Sequence, residues 1–177
     1  MNNWNRIGKP IVVLSLICVV VTGALAVTND VTAPIIKQAR IEAEERARAQ
    51  VLPEADGFTP VEGIAVDGVS AVYTADNGAG AVITASAKGY GGDVVVMVGI
   101  NAEGSIESIA VTEQEETQGI GSNVVGNPEY LAQYSGLSAA EPLVLNEDVD
   151  ARTSATVSST AVINAVNAAI EAYNQIP

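Results

Sequence analysis

Val69-Ser-Ala-Val-Tyr-Thr-Ala75, then Asp76-Asn-Gly-Ala-Gly80, then Ala81-Val-Ile-Thr-Ala-Ser-Ala87 is the stretch from which the fold is read. Two short runs of β-formers stand either side of Asn77-Gly78, a pair suited to the positive φ angles of a tight hairpin turn. Asp67-Gly68 marks the entry to the first run, and Lys88-Gly-Tyr-Gly-Gly92 turns the chain after the second. Asp93-Val-Val-Val-Met-Val-Gly-Ile100 is then a continuous apolar run, of the length of a strand buried on both faces. Asn101-Ala-Glu-Gly104 turns the chain again, and Ser105–Thr112 returns as a strand. Strands joined by turns this short pair antiparallel. The expected class is α+β: a mainly antiparallel sheet with flanking helices.

Beyond the strands, Pro128-Glu-Tyr-Leu-Ala-Gln-Tyr134 reads as a short helix with proline at its first position. Pro142-Leu-Val-Leu145 reads as a last strand, and Asn146–Asp150 as an acidic loop. From Thr160 onward apolar residues return every three to four positions. Val162, Val166, Ile170 and Tyr173 fall on one helical face.

Upstream of the strands the chain has a different character. Residues 1–10 carry Arg6 and Lys9 and no acid, and Ile11–Val27 carries no charge. As a helix that uncharged run spans about 25 Å, and its flanks extend it to near bilayer thickness. Its cationic N-terminal flank predicts a cytoplasmic N-terminus, which places the bulk of the chain outside the membrane. A retained anchor is the reading adopted. The alternative is a cleavable signal peptide, for which Ala24-Leu25-Ala26 supplies a small-x-small site. Thr28-Asn29-Asp30 is expected to interrupt the helix, and Pro34 to sit in the first turn of its continuation. That continuation, rich in Ala, Glu and Arg up to Pro53, is expected to be helical, with a solvated charged face. The expected divisions are 1–29 for the tip and membrane helix, 30–53 for a juxtamembrane helix and 54–177 for the extracytoplasmic domain.

Composition removes several kinds of function. The net charge is −13, with 21 acids against 8 bases, so neither nucleic acid nor an anionic membrane face is bound through charge. The chain has no histidine, which excludes a His-ligated metal and a Ser-His-Asp triad. Its one cysteine, Cys18, lies in the apolar run, so no disulfide framework exists.

The stretch leading into the last helix carries the densest chemistry. Asp150-Ala-Arg-Thr-Ser-Ala-Thr156-Val-Ser-Ser159 holds five hydroxyls, one acid and one base. Hydroxyl residues at a helix start satisfy first-turn N–H groups, and those same groups favour a phosphate. A phosphate esterified to Thr156 would meet such donors.

Asp150-x-x-Thr153-x-Ala155-Thr156 resembles the flavinylation motif of FMN-binding domains, in which the final Thr takes FMN through a phosphoester. The family usually has Gly where this chain has Ser154. Two further segments carry the same resemblance in the same order. Lys88-Gly-Tyr-Gly-Gly92 is similar to the family's Gly-Tyr-Gly-Gly, and Glu116-Thr-Gln-Gly-Ile-Gly121 to its Glu-Thr-Pro-Gly-Leu-Gly. Thr28-Asn-x-Val-Thr-Ala-Pro34 before an Ala/Glu-rich helix resembles the juxtamembrane segment of the RnfG family, a component of Rnf complexes.

The resemblance implies a membrane-anchored flavoprotein electron carrier with covalent FMN on Thr156. It implies a place in an ion-translocating ferredoxin:NAD⁺ oxidoreductase, with the flavin outside the membrane. Implied partners are the other Rnf membrane subunits, a flavin transferase for maturation, and lipid around the anchor. Asp150, Thr153, Ser154, Ala155, Ser158 and Ser159 are then candidates to present Thr156 or to hold its phosphate. Thr117, Gly119 and Gly121 are candidate ring or phosphate neighbours, and Tyr90 a candidate to pack on the ring. The NqrC component of the Na⁺-pumping NADH:quinone reductase shares the attachment motif but has a longer chain. A free-standing extracellular flavoprotein and a cofactor-free secreted binding module are the remaining alternatives.

Overall fold

The structure is a computed structural model and describes residues 8–119 and 121–176. Trp4, Arg6 and Ile120 therefore lie outside the described residues. The chain divides into two compact units, Met1–Ala43 and Glu44–Pro177.

From Lys9 onward the first unit belongs to α1, one helix running Lys9–Val51. Its apolar part is exposed throughout, and it is the one helix among the described residues long and apolar enough to cross a membrane. The expected break at Thr28-Asn29-Asp30 does not occur, and Pro34 lies inside the helix rather than in a first turn. The threonine hydroxyls there are accommodated within the helix by bonding back to its own carbonyls. Thr28 Oγ1 donates to Ala24 O at 2.9 Å and Thr32 Oγ1 to Thr28 O at 2.8 Å, one turn back along the same helix.

The second unit is built on a five-stranded antiparallel meander in the order β1 (Phe58–Pro60), β2 (Val69–Ala75), β3 (Gly80–Lys88), β4 (Asp93–Asn101) and β5 (Ile106–Glu113). β2 and β3 join across Asn77-Gly78, as expected. Gly78 has φ 75° and its N–H donates to Ala75 O at 3.0 Å, while Ala79 N–H donates to Asn77 Oδ1 at 3.1 Å. β3 and β4 close over Gly89–Gly92, with Lys88 opposite Asp93. The sheet also contains β1, which the pattern of residues does not announce. It is three residues long and ends in a proline, as suits an edge.

Three helices follow the sheet: α2 (Ser122–Val125), α3 (Pro128–Leu131), continued by a 3₁₀ turn at Ala132–Tyr134, and α4 (Thr156–Tyr173). Asn127 caps α3, its Oδ1 accepting from Glu129 N–H at 2.9 Å, with Pro128 at the first position. Pro142–Leu145 is not a strand. Leu143 N–H donates to Asn167 Oδ1 at 2.7 Å, and Asn167 Nδ2 donates to Leu143 O at 2.9 Å. A side-chain amide of α4 thus satisfies the backbone that a neighbouring strand would have paired.

Strand alternation sends two sets of side chains to two layers. Ala81, Ile83 and Ala85 of β3 and Val94, Val96, Val98 and Ile100 of β4 pack with Ala161, Val162, Ala165, Val166, Ala169 and Ile170 of α4. On the opposite face Ala75, Val82 and Met97 pack with Val51 and Leu52. β4 is therefore covered on both faces, as its unbroken apolar run predicts. The charged face upstream is exposed as expected, and the helix end adds a cover on the second face: Val51 and Leu52 are buried. Arg48 stays on the rim, its guanidinium 4.4 Å from the Tyr73 ring centroid. Gly99 admits the helix end, because a Cβ there would meet the Val51 carbonyl.

Tyr130 and Tyr134 meet edge to face at 6.3 Å, and both hydroxyls are buried without a hydrogen-bond partner among the described residues. Burial, with the Tyr130 phenol adding to it, holds the Tyr134 hydroxyl far above its ordinary value of 10.0. The folded protein therefore keeps this proton where the unfolded chain releases it. The contribution to stability is complete below about pH 10 and falls away as the pH rises further, by at most about 1.4 kcal/mol per pH unit. Tyr134→Phe should leave stability at pH 7 unchanged or about 1 kcal/mol higher, since the lost hydroxyl makes no bond. It should also flatten the decline above pH 10. Urea melts at pH 7 and pH 10.5 check both effects.

Candidate functional site

Three segments that are distant in sequence converge at the N-terminal end of α4. The β3–β4 turn brings Tyr90. The segment after β5 brings Glu116, Thr117 and Gly121. The loop before α4 brings Ser154, Ala155 and Thr156. With Val157 and Ser158 they line a cavity of about 560 Å³. Its walls are mainly apolar, and its volume lies within the usual range for small-molecule sites.

Thr156 is exposed and is the first residue of α4. It is not the cap, as the sequence suggested: Ala155 holds that position, and no side chain caps the helix. The first-turn N–H groups have no intrahelical acceptor, so they are left to bind what lies at the helix end. The loop reaches this geometry through Ser154, whose φ is 70°. That left-handed conformation explains why the family motif prefers glycine here.

The left-handed conformation costs a β-carbon-bearing residue about 1–2 kcal/mol, while glycine loses about 0.5–1 kcal/mol of extra chain entropy on folding. Ser154→Gly should therefore stabilise the domain by roughly 0.5–1 kcal/mol, raising Tm by about 2–4 °C on a thermal melt.

The remaining hydroxyls of the stretch divide by burial. Thr153 is exposed but does not line the cavity. Ser159 is fully buried, its Oγ donating to Ala155 O at 3.1 Å and accepting from Arg152 N–H at 3.1 Å, so it staples the loop to the helix. Ser158 is buried and donates to Glu116 Oε2 at 2.5 Å. Asp150 lies outside the cavity, with its N–H on Gln133 Oε1 at 3.0 Å.

The glycines also divide. Gly119 has φ 83° and open space around it, so it is a turn glycine, and it does not line the cavity. Gly121 has φ −65° and is glycine for another reason: a Cβ there would meet Glu116 and the Ser158 hydroxyl. Tyr90 is 76 % exposed at the cavity edge.

Two lining residues fall outside the set that sequence reasoning selected. Glu116 is 7 % exposed and accepts from Tyr90 N–H at 2.8 Å and Gly91 N–H at 3.2 Å. Its signal was present in the chain, since it opens the Glu-Thr-x-Gly-x-Gly segment. Val157, 51 % exposed, is an apolar wall that no local pattern marks.

The FMN-binding domain model matches residues 89–171, from the β3–β4 turn into α4. The model of the RnfG N-terminal region matches residues 1–51, ending where α1 ends. The RnfG protein of the Na⁺-translocating ferredoxin:NAD⁺ oxidoreductase complex of Acetobacterium woodii is 31 % identical, over 98 % of this chain and 95 % of that protein. The chain belongs to the RnfG family.

The corresponding component of the ion-translocating oxidoreductase complex of Methanosarcina acetivorans is 30 % identical over 97 % of this RnfG-family chain and 96 % of its own length. The crystal structure of NqrC from Shewanella oneidensis aligns with a TM-score of 0.50 at 21 % identity, covering 72 % of each chain, which shows a shared fold. The residues present fit FMN. The cavity is of small-molecule size with mainly apolar walls suited to a ring, and it opens on the start of α4, whose first-turn N–H groups have no side-chain cap and suit a phosphate.

Proposed function

We propose that this chain is a membrane-anchored flavin electron carrier, with FMN joined to Thr156 through a phosphoester. It acts as one component of an Rnf complex that couples ferredoxin:NAD⁺ electron transfer to ion translocation. One observation carries the residue assignment: of the five hydroxyls in the attachment stretch, Thr156 is exposed, opens α4 and lines the cavity. Family membership supports the complex and its membrane subunits as partners. The uncharged run Ile11–Val27 of α1, with Arg6 and Lys9 before it and all acids after it, supports an N-terminus in the cytoplasm and a flavin domain outside.

The chain's own residues bind and orient. The Thr156 oxygen attacks an activated phosphorus, as in the pyrophosphate of a flavin dinucleotide. One P–O bond forms, one breaks, the nucleoside monophosphate leaves, and the hydroxyl proton is released. First-turn N–H groups of α4 would hold the ester oxygens, each such donor being worth roughly 1.5–3 kcal/mol toward a charged acceptor. Tyr90 and Val157 provide apolar surface for the ring. The bound flavin supplies the redox chemistry. A covalent tether suits a carrier outside the cytoplasm, because no binding equilibrium has to be maintained there.

The test is coexpression with a flavin transferase, followed by a denaturing gel. Flavin fluorescence that survives denaturation, with the adduct mass on the peptide containing Thr156, is the expected result. An adduct on another residue overturns the assignment.

A further inference from the structure

Among the described residues Glu116 is the one charged side chain that is buried, and it lies beside a site argued above to hold a phosphate. A bare carboxylate there would repel the ligand. The structure resolves this by filling both of its oxygens: Oε1 accepts from the Tyr90 and Gly91 N–H groups, and Oε2 from the Ser158 hydroxyl. The carboxylate thereby ties the β3–β4 turn to the first turn of α4, segments that carry Tyr90 and Thr156 respectively.

The glycines of two separate loops make room for it. At Gly89 a Cβ would meet Oε1, and at Gly121 it would meet Oε2 and the Glu116 Cβ. At Gly91 a Cβ would meet the Glu115 carbonyl and crowd the Glu116 Cα at 3.3 Å. Gly89 and Gly121, one in each loop, are therefore explained by the Glu116 side chain itself, without appeal to close approach of a ligand.

We propose that Glu116 is the positioning residue of the flavin site, its buried carboxylate clamping the Tyr90 turn onto the first turn of α4 so that Thr156 is presented in a preformed cavity. The proposal rests on the assignment of Thr156 as the attachment residue. Its hydrogen bonds run to the Ser158 hydroxyl and to the Tyr90 and Gly91 N–H groups, so it acts through them. Three charge-assisted hydrogen bonds to one carboxylate are coupled, so removing any partner loosens both segments together.

Glu116→Gln keeps the shape and replaces the charge, and Ser158→Ala removes one donor. Both variants are made in the full chain in detergent, with and without transferase. In the unloaded protein, amide exchange should accelerate at residues 89–92 and 156–159 together in each variant, and not in the α3 segment. Attachment to Thr156 should slow by about tenfold, the scale of one lost charge-assisted hydrogen bond, through turnover rather than KM for the flavin donor. In the loaded protein the visible circular-dichroism band of the flavin should change shape. The double variant should be no slower than the worse single one, because both act on one clamp.

Wild-type exchange, attachment rate and dichroism in folded Glu116→Gln would overturn the proposal. So would strictly multiplicative effects in the double variant. If wild type carries its adduct elsewhere, the Thr156 assignment fails, while the exchange data still decide whether the clamp exists.

Discussion

Thr156→Val is expected to abolish the covalent flavin completely while leaving the domain folded. Valine matches threonine in shape and in β-branching but offers no nucleophilic oxygen. Thr156 is exposed, and the helix has no side-chain cap to lose. The stability cost should therefore stay within about 0.5 kcal/mol, as for ordinary surface changes. The neighbouring hydroxyls cannot take over. Ser158 and Ser159 are buried and already donate to Glu116 Oε2 and Ala155 O. Thr153 lies off the cavity. Ser154 lines it, but from a left-handed turn two residues ahead of Thr156 and outside the helix. Thr153→Val is the control and should retain flavin. In-gel fluorescence and peptide mass read both variants. Normal fluorescence in Thr156→Val would defeat the assignment.

The largest expected effect on stability belongs to Gly99→Val. Gly99 lies in β4 opposite the end of α1, and its missing Cβ leaves space taken up by the Val51 carbonyl. A valine there meets backbone, which cannot rotate away as a side chain does. The helix end must then lift from Ala75, Val82 and Met97. The expected loss is about 3 kcal/mol, at the upper end of overpacking costs. For a domain of this size that lowers Tm by about 10 °C. Thermal melts check it, and an unchanged Tm would show that the helix end does not depend on that contact. Attachment at Thr156, on the other face of the sheet, should persist in whatever fraction stays folded.

Both residues illustrate what the chain makes legible. Four of the five strands, the Asn77-Gly78 hairpin, the Pro128 helix and the apolar face of α4 follow from local pattern, because each is decided by a few adjacent residues. The second layer does not. Val51 and Leu52 end a helix rich in charge, and only the sheet beneath them turns two apolar residues into a core. Pro142–Leu145 reads as a strand because the pattern cannot show that Asn167, on a helix more than twenty residues later, occupies the backbone bonds.

The site divides in the same way. Thr156, Ser154 and Gly121 are found through motif. Ser154's positive φ and the burial of Ser158 and Ser159 are tertiary outcomes. Glu116 was visible in sequence as the head of a glycine loop, but its partners come from turns 25 to 42 residues away.

The meander has a consequence for timing. Each strand pairs with its immediate successor, so the sheet can zip up through short loop closures as the chain emerges. The helix that seals its open face follows all five strands in sequence, and it can dock only when β3 and β4 are in place. Thr156, the proposed acceptor, opens that helix. A half-assembled domain thus offers a maturation enzyme no helix start and no cavity, and the prosthetic group is expected to be fitted only to molecules that have finished folding. On the proposed attachment, covalent flavin becomes a stamp of structural completion, applied once, before the carrier enters service.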